Sequence, residues 1–84
     1  MRLDKFLKVS RLIKRRTVAN EACDSSRISV NGKAAKASYD VKLGDEITVA
    51  FGSKNVTVRV LDIRETTKKL ESQGMYEVIS EINA

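Results

Sequence analysis

The chain has 84 residues and a mass of 9.4 kDa, which leaves room for one small domain. A 42% apolar fraction supports a modest core, and no apolar run reaches the roughly 18 residues needed to span a bilayer. One cysteine and no histidine exclude an internal disulfide, argue against a structural zinc site, and remove the usual neutral-pH general base. The expectation is a reduced, cytoplasmic, non-catalytic module with no cofactor, no metal and no membrane segment.

Leu3, Phe6 and Leu7 are spaced i, i+3, i+4, so residues near 2–10 are expected to form a short amphipathic helix. Arg2, Lys5 and Lys8 fall off its apolar stripe and make a cationic strip beside it. Thr17 is a plausible N-cap for a second helix of about eight residues, with Val18, Ala19, Ala22 and Cys23 apolar. Asp24-Ser25-Ser26 breaks that pattern. Ile28 and Val30 then alternate into Asn31-Gly32, a tight-turn signal because both residues tolerate positive φ.

Val41 and Leu43 suggest a second strand running into the Gly44-Asp45 turn. Ile47, Val49 and Phe51 alternate after it, Gly52 to Asn55 makes a hairpin connection, and Val56, Val58 and Val60 alternate again. Residues 65–74 are polar and read as an exposed loop. Tyr76, Val78 and Ile79 supply a last strand. The order ααβββββ gives an α+β domain, with two N-terminal helices on a small, mostly antiparallel sheet.

The charge is unevenly placed. Residues 1–42 carry eleven cations and four acids, a balance of +7, whereas residues 43–84 carry five cations and seven acids, or −2. Such asymmetry points to a face for a polyanion, with a solvated basic surface as the bland alternative. Lys14-Arg15-Arg16 is the densest cluster and precedes the second helix. There, unpaired N–H groups and the positive dipole end favour a phosphate over an empty basic loop. Lys33 and Lys36 flank the Asn31-Gly32 tip. Cys23 and Phe6 read as core residues, and Phe51 is assigned to an apolar core face. Tyr39 is open to two readings, stacking on a base or packing on the sheet. Asp45-Glu46 has no context for acid–base work.

Arg2-Leu3-Asp4-Lys5-Phe6-Leu7, Arg11 and Lys14-Arg15-Arg16-Thr17-Val18-Ala19 together resemble the S4 RNA-binding domain, the αL motif. Arg27-Ile28-Ser29-Val30-Asn31-Gly32-Lys33, Ser38 and Gly44-Asp45-Glu46-Ile47 match its strand–turn–strand half. The resemblance covers about residues 1–50, with residues 51–84 as a β extension of the same compact domain. It implies a basic face on which Arg2, Lys5, Lys8, Arg11, Lys14, Arg15, Arg16, Lys33 and Lys36 meet phosphates. Thr17, Asn20, Asn31 and Ser38 would add polar contacts.

A short copy with a small β extension is similar to the heat-shock and ribosome quality-control branch of that family. That branch implies binding to ribosomal RNA and tRNA on a large ribosomal subunit that still holds peptidyl-tRNA. It also implies a monomer that supports alanine tailing of the nascent chain by a partner, the tailing factor. Two alternatives remain: an adaptor whose basic face docks an acidic protein, and a ribosome-assembly factor binding ribosomal RNA. An enzyme is disfavoured, because the fused catalytic domains of the family find no residues here.

Overall fold

The structure, a computed structural model, describes residues 1–63 and 74–83. Two helices come first, α1 (Leu3–Val9) and α2 (Arg16–Asp24). Five strands follow: β1 (Ile28–Val30), β2 (Lys33–Ala34), β3 (Glu46–Phe51), β4 (Lys54–Val60) and β5 (Tyr76–Asn83). They form one open antiparallel sheet in the order β2-β1-β3-β4-β5. The expected α+β architecture is the observed one. Among the described residues no helix is long and apolar enough to cross a membrane.

Neither helix is closed at its start by the side chain of its N-cap residue. Arg2 and Arg15 hold the N-cap positions without a side-chain cap bond. Thr17, expected as the second cap, lies inside α2 instead, because the helical backbone begins at Arg16. The start of α1 is capped by distant backbone: Leu3 N–H donates to the Tyr39 carbonyl at 2.8 Å and Asp4 N–H to that of Ala37 at 3.2 Å. Those bonds satisfy two of the four donors that a helix start leaves unpaired. They also anchor the chain after β2 against the beginning of the protein.

One core joins the two layers. Leu3, Phe6 and Leu7 from α1 and Ala19, Ala22 and Cys23 from α2 meet Ile28, Val30, Ile47, Val49, Val58 and Val60 of the sheet, closed by Met75. The period of two in β3 and the i, i+3, i+4 spacing in α1 place these residues inward without exception. Tight turns set the register. Asn31 (φ 53°) and Gly32 (φ 85°) both lie in the left-handed region, as a two-residue hairpin between β1 and β2 requires.

Three expectations need correction. Val41–Leu43 is not a strand: Val41 N–H donates to the Met1 carbonyl, Asp40 bridges Arg2, and Leu43 is exposed. Its backbone bonds go to the first residues rather than into the sheet, and Lys33–Ala34 supplies the second strand. Phe51 is 41% exposed, because β3 runs past the helical layer that covers Ile47 and Val49. The last strand extends to Asn83, four residues beyond Ile79, with a bulge opposite Thr57 and Val58. The loop expected over 65–74 lies outside the described residues except for Gly74.

A candidate nucleic-acid interface

The most organised part of the basic half is built on a buried acid. Asp4 is 2% exposed, and its carboxylate gathers groups from both helices. Arg2 donates from Nε to Oδ1 at 3.2 Å and from Nη2 to Oδ2 at 3.4 Å. Arg16 Nε and Asn20 Nδ2 each donate to Oδ2 at 3.4 Å, and Lys5 N–H donates to Oδ1 at 2.8 Å. Burial pushes the Asp4 carboxyl up. The bonds from Arg2, Asn20 and the Lys5 amide, with the Arg16 charge, outweigh that and hold it below its ordinary value.

The consequence is geometric. Asp4 draws one edge of each guanidinium inward and leaves the rest half exposed, 52% for Arg2 and 50% for Arg16. Two arginines that would repel each other are held side by side. Arg16 is also the first residue of α2, whose opening turn contains no acid. The N–H groups of Arg16, Thr17 and Val18 have no acceptor among the described residues. An anion placed there meets free amide donors, the positive end of the helix dipole and two guanidinium edges.

A second group sits beside the first. Asn31, Lys33, Lys36, Ser38 and Tyr39 line a groove of about 680 Å³ on the edge of the sheet. Its wall is the segment whose carbonyls cap α1, so Ser38 lies next to the Leu3–Tyr39 bond and thus to Arg2. Below the groove, Asp45 is buried and accepts from Asn31 Nδ2 at 3.1 Å, Tyr39 Oη at 2.9 Å and Lys42 N–H at 3.0 Å. Burial raises the Asp45 carboxyl, but the Lys42 amide, Asn31 and Tyr39 bonds bring it below its ordinary value. Tyr39 shifts the opposite way: its bond to Asp45 raises the phenol.

The structure thus joins Arg2, Arg16 and Asn20 through Asp4, and Asn31, Lys33, Lys36 and Ser38 around one groove. Lys8, Arg11, Lys14, Arg15 and Thr17 are exposed, and Lys5 is half-buried at the centre of α1. Asn31 differs from the sequence-based expectation in its use. Its Nδ2 is committed to Asp45 and its Oδ1 accepts from Glu46 N–H at 3.0 Å, so the amide shapes the turn. Tyr39 likewise has its hydroxyl tied to Asp45. Asp4 and Asp45 fall within the motifs that resemble the S4 domain, but their roles as organising acceptors come from tertiary structure. Cys23 is buried, and desolvation, with the nearby Asp4 and Asp24 charges, pushes its thiol up to about 11. Such a thiol is a packing group, not a nucleophile.

The sequence pattern of the S4 domain matches residues 1–47, more than half of the chain, spanning both helices, β1, β2 and the start of β3. The chain belongs to the S4 domain family. Its similarity extends past that domain. The RQC P-site tRNA stabilizing factor of Bacillus subtilis is 64% identical over 81 residues, covering 96% of this chain and 94% of that protein. The factor of the same name from Streptococcus pneumoniae is 57% identical, with 96% and 92% covered. Among solved structures, a trimeric heat shock protein 15 of Vibrio cholerae superimposes with a TM-score of 0.88 at 30% identity, over 95% of this chain and 82% of the other. The fold is therefore shared with a solved heat shock protein 15 well past the S4 domain itself.

Proposed function

We propose that this S4 protein binds the large ribosomal subunit in the cytoplasm, touching ribosomal RNA and the peptidyl-tRNA held there, during quality control of stalled nascent chains. In this reading it adds no chemistry of its own. It steadies the tRNA while a partner, the tailing factor, extends the nascent chain with alanine. Residues 1–50 form the RNA-binding unit and residues 51–84 an extension of the same domain. The observation that carries the reading is the near full-length similarity to P-site tRNA stabilizing factors, coupled to a helix start where Arg2 and Arg16 pair, among the described residues, with Asp4 alone.

Arg16 is the residue on which the reading is tested. Its terminal nitrogens can grip a phosphate while the α2 amides hold the same anion. Arg16→Ala is expected to weaken co-sedimentation with large subunits by about 1–3 kcal/mol, and Arg16→Lys to recover only part of the loss, because a point charge cannot reproduce the fork. Arg59→Ala is the control, since Arg59 pairs with Glu77 at 3.0 Å and Glu46 at 3.6 Å on the far face of the sheet. Thermal melting of each variant separates lost binding from lost folding. Wild-type sedimentation of Arg16→Ala, with a defect in Arg59→Ala, would place the RNA face on the wrong half.

A further inference from the structure

The exposed ring of Phe51 sits in a second groove, of about 440 Å³, between the start of α2 and the hairpin joining β3 to β4. Leu12, Val18, Val49 and Phe51 give it an apolar floor, while Lys14 and Arg27 stand on its rim. Of the chain's four aromatic rings, Phe51 alone is exposed; Phe6 is buried, and Tyr39 and Tyr76 are half-buried. Val18 is exposed beside it, so two large apolar side chains face solvent at one place. Neither rim cation has a carboxylate within 4 Å among the described residues.

We propose that this groove takes one unpaired nucleotide of the bound RNA, its base stacked on Phe51 and against Val18, its phosphate held by Lys14 and Arg27. This deepens the RNA-binding reading above and rests on it. The chemistry is specific to such a ligand. A nucleotide is a flat apolar plate joined to an anion, and the groove offers an apolar floor edged by two cations. Lys14 belongs to the same run as Arg15 and Arg16 and Val18 lies in the first turn of α2, so a backbone passing the α2 start runs beside the groove. A paired helix cannot use the ring, because its bases are already stacked on one another. The groove therefore reads a local defect in RNA structure where the Arg2–Arg16 pair reads phosphate alone.

The chain contains no tryptophan, so Phe51→Trp introduces a single indole reporter at the floor. Two hairpin RNAs serve as probes, identical except that one carries a single unpaired nucleotide in its stem. The wild type is expected to bind the bulged hairpin about fivefold or more tighter than the paired one. Phe51→Leu, checked by melting, should abolish that preference and leave affinity for the paired hairpin unchanged. Phe51→Trp should keep the preference, and its fluorescence should be quenched by the bulged RNA only.

Equal binding of both hairpins by the wild type, or an equal loss on both in Phe51→Leu, overturns the proposal while leaving RNA binding in place. Failure of the wild type to bind either hairpin brings down the RNA reading itself, and the proposal with it. An indole signal that responds to an acidic, leucine-containing peptide and not to the bulged RNA assigns the groove to a protein partner and overturns it also.

Discussion

Asp4 shows how one carboxylate can create a cationic site. Alone at 2% exposure it would be a costly buried charge; with five donors around it, it becomes the pivot that positions Arg2, Arg16 and Asn20. Its folded-state carboxyl lies below the ordinary value of 3.8, so it contributes stability that is present above that pH. The contribution is lost as pH falls through the depressed folded value. Asp45 shifts in the same direction and adds to the same acid limb. Asp4→Asn keeps the shape but cannot ionise. It is expected to lower the melting temperature at pH 7, where the charge matters, and to flatten the fall in stability as pH drops below 3.8. Melting curves of both proteins across that range decide it. An unchanged acid slope in the variant would mean that Asp4 does not contribute as a charge.

At the level of elements, the loop between the helices holds a conflict that RNA binding can explain. Ser10 ends α1, and the next residue, Arg11, adopts φ 65°, the left-handed conformation that usually goes to glycine at that position. A residue with a side chain is disfavoured there by about 1 kcal/mol. Arg11 is exposed, and its cation has no carboxylate partner among the described residues. Arg11→Gly is therefore expected to do two opposite things. It should raise stability by about 0.5–1 kcal/mol in thermal or urea melts, and it should weaken RNA association by removing a phosphate contact. Parallel melting and binding measurements check the pair of signs. If both fall, the strain is not real; if binding is untouched, Arg11 lies off the RNA face.

How far the elements could be read from sequence follows from which forces are local. The spacing of Leu3, Phe6 and Leu7, and the alternation through Ile47 and Val49, are local patterns, and both helices and the central strands follow them. Asn31-Gly32 names its own turn. Val41 and Leu43 mislead because alternation cannot say where backbone bonds go, and here they go to Met1 and into the Asp45 network. Phe51 misleads for a related reason: its alternation is correct, yet no helix reaches far enough to cover it. For the candidate site, the cationic residues were legible as a charge asymmetry. The two carboxylates that arrange them were not, since a buried acid has no sequence signature apart from its partners.

Over the whole molecule, the two halves use their charges differently. Among the described residues of the second half the cations are answered locally: Arg59 by Glu46 and Glu77, and Lys54 by Glu81. In the first half Asp4 answers two arginines and Asp40 is taken by the Met1 amino group at 2.8 Å, leaving Lys8, Lys14, Arg15, Arg27, Lys33 and Lys36 without a carboxylate partner among the described residues. Such cations hold counterions only through the surrounding solution and are available to phosphate. If about four to six phosphates are neutralised on binding, log K should fall with log salt at a slope of roughly −3 to −5. Removing Lys33 and Lys36 together, as a double change to Gln, should make that slope shallower by about two units, because each releases close to one counterion. Lys54→Gln should leave it unchanged. Titrations of a structured RNA at several salt concentrations measure all three. A slope near zero, or equal affinity for duplex DNA of the same length, would show that the free cations of the first half are only a solvated surface.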